Sequence, residues 1–83
     1  MAATKSEIQS WFMRGKASGG THLIVVCDTF DHEDYPAFVY PGQDWQKTVD
    51  GYNAQSMQRV MEVYDLREPL EPQLEARRAW PKV

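Results

Sequence analysis

The stretch Thr-His-Leu-Ile-Val-Val-Cys-Asp-Thr-Phe, residues 21–30, decides the fold. Its centre, residues 23–27, is an unbroken apolar run that is rich in β-branched side chains, which is typical of a central strand buried on both faces. We therefore predict a strand over 21–30. The polar residues 31–34 predict a turn. Residues 37–40 predict a second strand, and the short connection favours antiparallel pairing with the first.

The segment before this strand has the pattern of a helix. Thr4 followed by Glu7 forms a capping box, which predicts a helix that begins near residue 4. Ser6 and Gln9 fit the same pattern, so a start two residues later is the alternative. The apolar face of this helix comprises Ile8, Trp11 and Phe12, and we expect it to end at Gly15.

Residues after the hairpin predict a second helix, a third strand and a last helix. Asp44 can cap a helix whose apolar face is Trp45, Val49 and Tyr52. Residues 58–66 fit either a helix or a strand, and we predict a strand because it would shield an otherwise marginal hairpin. Residues 73–80 predict a short final helix. The prediction is an α+β fold: a three-stranded, mainly antiparallel sheet with helices packed on it, in the order α-β-β-α-β-α.

Length and composition limit the function. With 83 residues, the sequence predicts one small domain over 1–83. The longest apolar run is too short to cross a bilayer, the first ten residues lack the apolar region of a secretory signal, and Cys27 is the single cysteine. These features favour a cytoplasmic protein. The net charge of −3 gives no support to an electrostatic grip on nucleic acid.

The densest functional candidate is the run of acids between residues 28 and 34. It has four carboxylates but lacks the spacing of a calcium loop, and one histidine is too few for a transition-metal site. A solvated turn is one interpretation, and a surface that docks on a basic partner is another. We predict the second and expect no cofactor, while a metal-binding loop over 28–34 stays an alternative. The predicted partner-binding residues are Asp28, Asp31, His32, Glu33, Asp34 and Tyr35.

A second candidate is the glycine-rich segment 14–22. A simple linker is one interpretation, and a loop that binds a phosphate through its backbone N–H groups is the other. It follows a helix and precedes a strand, which is the reverse of a P-loop, so triphosphate hydrolysis is not supported. The alternative function is thus a sponge for a nucleotide. Its predicted ligand-binding residues are Trp11, Arg14, Lys16, Trp45 and Arg59.

Catalysis has little support. Cys27 with His22 or His32 is the available pairing of a nucleophile with a base, and five residues of extended strand place Cys27 and His22 on opposite faces. No third group that could orient the base is evident. We therefore expect a protein that is not an enzyme.

The sequence resembles a family of small bacterial proteins associated with phages, prophages and plasmids. The resemblance is carried by the motifs Val-Cys-Asp-Thr-Phe-Asp (26–31) and Glu-Asp-Tyr-Pro (33–36) and by the segment 57–66. The resemblance covers about residues 8–80. That family has no assigned reaction, so no catalytic residue can be transferred. The resemblance implies an accessory protein in the cytoplasm of a bacterial host, where such proteins often block a host defence. We expect a non-enzymatic anti-defence factor that binds a host protein and forms homo-oligomers.

Overall fold

The strand β1 (His22–Asp28) is the middle strand of a three-stranded sheet with the order β2-β1-β3. The computed structural model describes residues 4–75. β2 (Glu33–Val39) and β3 (Gln58–Asp65) both pair antiparallel with β1, which places His22 opposite Val39 on one side and opposite Asp65 on the other. The predicted antiparallel sheet is confirmed.

Three helices pack on this sheet: α1 (Lys5–Ala17), α2 (Trp45–Asn53) and α3 (Leu70–Glu75). The predicted α+β class and the order α-β-β-α-β-α are confirmed. None of the helices described within 4–75 is long and apolar enough to cross a membrane.

The core has two parts because side chains alternate along β1. Leu23 and Val25 belong to one cluster with Tyr64, Leu66 and residues of α1, and Leu70 and Leu74 of α3 pack against it. Ile24 and Val26 belong to a second cluster on the opposite face, where α2 packs; its other members are Val39, Val60 and Val63, with Tyr35, Ala37, Trp45, Val49 and Tyr52 against them. β1 is therefore buried on both faces, as predicted.

The capping box at the start of α1 is present as predicted. Thr4 accepts the backbone N–H of Glu7, and the Glu7 carboxylate accepts that of Thr4. Gly15, however, does not end the buried face. It is buried within the helix, and a Cβ built there would lie 2.8 Å from Leu66 Cδ1 and 2.9 Å from the Phe38 ring. Glycine at this position lets α1 approach the sheet closely.

The hairpin differs from the prediction in its bounds. β1 ends at Asp28 rather than at residue 30, and β2 begins at Glu33 rather than at residue 37. The turn therefore covers 29–32, and two of the acids predicted in the turn lie on β2. Pro36 lies within β2 opposite Val25. This is possible because β2 is an edge strand, where a missing N–H leaves no partner unpaired.

β3 is formed by the part of the chain in which the sequence left the choice between strand and helix open. Residues 58–65 form a strand, as predicted, and a register shift leaves Met61 without a partner, because Val26 pairs with Val60 and Val25 with Glu62. This β-bulge explains the mixed periodicity. α3 begins at Leu70, three residues before the predicted start. The rest of the predicted final helix, residues 76–80, lies outside the described residues.

Candidate functional site

The candidate site is the tip of the β1–β2 hairpin, defined here as residues 28–33. The backbone N–H of His32 donates to the Asp28 carbonyl at 2.7 Å and closes the turn. The Asp28 side chain accepts the N–H of Phe30 at 2.9 Å, and the Asp31 side chain accepts that of Glu33 at 3.1 Å. Two of the three acids of the tip thus hold the loop backbone in place, as aspartates commonly do in turns.

Phe30 is the residue that sequence analysis missed. We predicted it as the last residue of a strand, but it lies in the turn with 75% of its surface exposed, more than any other large hydrophobic residue described. Asp28, which is disfavoured in strands, was the signal that the strand ends before Phe30. The Phe30 ring therefore has little packing against the rest of the chain.

The backbone of His32 has a positive φ of 61°, in the left-handed region. Residues with a Cβ seldom adopt this conformation, at a cost of about 1–2 kcal/mol, and glycine or asparagine is preferred there. The loop retains this strain while presenting Phe30 to solvent.

A second exposed apolar residue lies at the same end of the sheet. The N–H of Thr29 donates to the Met57 carbonyl at 3.0 Å, which fixes the entry to β3 beside the tip. Met57 is 46% exposed. The tip therefore combines an aromatic side chain, a nearby methionine and the carboxylates of Asp31 and Glu33.

The six predicted partner-binding residues do not form one surface. Asp28, Asp31, His32 and Glu33 lie at the tip. Asp34 pairs with Cys27 across the strands and hydrogen-bonds to it, on the face that α1 covers further along. Tyr35 lies on the opposite face, where its hydroxyl donates to Gln58 and its ring meets Tyr52 edge-on at 6.4 Å. Asp34 and Tyr35 therefore stabilise the sheet, and the candidate surface consists of the other four residues and Phe30.

The thiol of Cys27 is not activated. Partial burial raises its pKa, and the hydrogen bond to Asp34 raises it further, so the thiolate is disfavoured. His22 lies on the other face, where its ring stacks on Trp45 at a centroid distance of 5.3 Å. The structure thus separates the cysteine from this histidine, as the strand periodicity predicts.

The five residues proposed for a nucleotide are not brought together. Trp11 packs on the α1 side of the sheet and Trp45 on the α2 side. Arg14 and Lys16 are exposed on α1, where the Lys16 amine lies 5.8 Å from the Phe12 ring centre. Arg59 pairs with Cys27 at the other end of β1.

The glycine-rich loop does not offer its backbone donors to a phosphate. The N–H groups of Ser18, Gly19, Gly20 and Thr21 donate to the carbonyls of Arg14, Lys16, Gly15 and Val39, in that order. An anion-binding nest needs such groups unengaged and convergent. Within residues 4–75, moreover, no group of three or more His, Cys, Asp or Glu side chains is placed to hold a metal ion.

No family model, no curated protein and no solved structure matches this chain. The resemblance to phage- and plasmid-associated proteins therefore stays a prediction.

Proposed function

We propose that this chain is a non-enzymatic binding protein whose hairpin tip inserts Phe30 into an apolar pocket on a partner protein. The observation that carries the proposal is the 75% exposure of Phe30 at the end of a braced turn. Aromatic anchors that fill a pocket account for much of the binding energy in protein interfaces.

The braced turn lowers the entropic cost of binding. Three hydrogen bonds, from His32 to Asp28, from Phe30 to Asp28 and from Glu33 to Asp31, already order the loop before a partner arrives. A preordered loop loses less conformational entropy on binding than a mobile one.

The negative charge of the tip indicates the charge expected around the pocket of the partner. Asp31 and Glu33 are exposed on either side of the turn, so a pocket with a basic rim is complementary. We propose that the partner is a protein of a bacterial host and that the chain acts as an accessory or anti-defence factor of a mobile element, in keeping with the resemblance of its sequence. The position of Trp11 and Trp45 on opposite faces of the sheet favours this function over a nucleotide sponge.

Affinity capture from a bacterial lysate tests the proposal, with Phe30→Ala as the variant and Tyr40→Ala as the matched aromatic control. Tyr40 is 37% exposed and follows the opposite end of β2. We expect proteins that the wild type and Tyr40→Ala retain to be lost with Phe30→Ala, with affinity reduced about 30-fold for an anchor worth about 2 kcal/mol.

Two results would contradict the proposal. One is equal retention by Phe30→Ala and the wild type. The other is a lysate in which no protein is retained while an added nucleotide raises the melting temperature of the chain, which would instead favour the sponge.

A further inference from the structure

An apolar groove lies between α1 and α3, on the surface of the first core cluster. Its volume is about 320 Å³. An apolar cavity of about 150 Å³ holds a benzene ring, so a phenyl side chain fits this groove. The lining residues are Gln9, Phe12, Met13, Lys16, Pro69, Leu70 and Glu71.

The groove and the hairpin tip lie at opposite ends of the sheet. α3 follows Asp65, which pairs with His22 at the start of β1, whereas the tip follows Asp28 at its end. Seven residues of strand separate the two ends by roughly 20 Å. Phe30 therefore cannot reach the groove of its own chain, but it can reach that of a second copy.

The charges of the two surfaces are opposite. α1 carries Lys5, Arg14 and Lys16 against one acid, Glu7. Lys5 and Lys16 are exposed and lie on the same face of α1 as Gln9 and Phe12, and Lys16 lies on the rim of the groove. Asp31 and Glu33 at the tip are exposed as well. Although Glu71 adds one negative charge to the rim, the basic face of α1 complements the acidic tip.

We infer that the groove binds the hairpin tip of a second copy of this chain, with Phe30 between α1 and α3 and the acids against Lys5 and Lys16. This rests on the tip proposed above as the docking element and adds its regulation, because self-association covers Phe30 and competes with the partner. The contact is head-to-tail, so successive copies form rings or short chains. Since few residues take part, the association is weak and depends on concentration and salt.

Sedimentation velocity on the purified full chain tests this inference without any host partner. We expect the sedimentation coefficient of the wild type to rise with concentration at low salt and to fall when salt is added. Phe30→Ala removes the aromatic side chain that enters the groove. The double variant Met13→Glu with Lys16→Glu places two negative charges at the groove, so that it no longer accepts the tip. Each is expected to weaken association at least about tenfold. Met13 and Lys16 are exposed, so both substitutions leave the core intact.

Mixing the two variants is the decisive measurement. Phe30→Ala still has a groove and the double variant still has a tip, so a mixture is expected to form a one-to-one complex that grows no further. Asp50→Asn, on the exposed surface of α2, is the control that should associate like the wild type.

Four outcomes would overturn the inference. The first is a wild type that stays monomeric at every concentration at which it is soluble. The second is unchanged association of Phe30→Ala. The third is a mixture of the two variants that forms no complex. The fourth is association that Trp80→Ala alters and Phe30→Ala does not, which would assign the groove to residues 76–83. If self-association fails while lysate capture depends on Phe30, the proposed function stands alone.

Discussion

The side-chain amide of Gln73 pairs with the backbone of Asp65 as a neighbouring strand would. Gln73 Oε1 accepts the N–H of Asp65 at 2.7 Å, and Gln73 Nε2 donates to the Asp65 carbonyl at 2.9 Å. At the other end of β3, Asn53 Oδ1 accepts the N–H of Val60 at 2.8 Å. These two amides occupy backbone groups on an edge strand that would otherwise be open to pairing with another chain.

Gln73→Ala should therefore destabilise the protein by about 1–2 kcal/mol, because two partly buried hydrogen bonds are lost. Unfolding in urea measures the loss, and light scattering during refolding should show increased aggregation. Gln46→Ala, on the exposed surface of α2, should leave both quantities unchanged. Equal stability of the two variants would mean that water is as good a hydrogen-bond partner for the Asp65 backbone as the Gln73 amide.

Gly15→Ala should destabilise by about 1–3 kcal/mol, although alanine favours helices, because its Cβ would overlap Leu66 and Phe38. Gly51→Ala in α2 is the matched control. Nothing lies within 4 Å of a Cβ built at Gly51, so it should stabilise by about 0.5–1 kcal/mol. Thermal unfolding of the two variants checks the opposite signs, and a shared sign would refute the close approach of α1.

His22 should make stability depend on pH. Burial lowers its pKa, Asp65 raises it and Arg67 lowers it, and the pKa ends below the ordinary value of 6.5. His22 therefore binds a proton more readily in the unfolded chain than in the folded protein. Its contribution to the free energy of unfolding is complete above about pH 6.5 and is lost as the pH falls towards the lowered pKa.

Asp65 titrates in a lower range. Burial opposes its ionisation, but hydrogen bonds from Arg67 outweigh burial and bring its pKa below 3.8. The free energy of unfolding in urea, measured across mildly acidic pH, should therefore change with the protonation of His22 and not with that of Asp65. His22→Phe keeps an aromatic ring against Trp45 and should abolish the dependence in that range. A slope that persists in this variant would assign it to another group.

His32→Gly should stabilise the hairpin by about 0.5–1 kcal/mol, because glycine adopts the positive φ of this position without steric cost. Thr29→Gly, in the same loop but without a positive φ, should destabilise instead. Chemical denaturation compares the two. If both variants lose stability equally, the conformation of His32 carries no strain.

The charges of the tip should affect capture of the partner without changing the loop. Asp31→Asn keeps an oxygen that can accept the Glu33 N–H, and Glu33→Gln keeps the size of its side chain. The double variant should bind more weakly at low salt and nearly like the wild type at high salt, since exposed charges are screened. Capture measured at several salt concentrations checks this, and a loss that is independent of salt would exclude the electrostatic contribution.

Much of this fold could be predicted from interactions between residues that are close in the sequence. The Thr4–Glu7 capping box, the Asp44 cap and the apolar run of β1 act within a few residues, so their signals are visible in the sequence. The bounds of β2 were wrong because Pro36 is compatible with a strand only at an edge, and edge position depends on the strand order.

The candidate site was predicted in part for the same reason. The acids of the turn stand out in the sequence, whereas the exposure of Phe30 depends on where β1 ends. The groove between α1 and α3 joins residues more than fifty positions apart, so no local pattern indicates it.

Because β1 supplies buried side chains to both apolar clusters, neither half of the core has an independent scaffold. Loss of packing under α2 would also loosen the strand on which α1 rests. The molecule should consequently melt in a single cooperative transition, with the same midpoint for tryptophans on either side of the sheet.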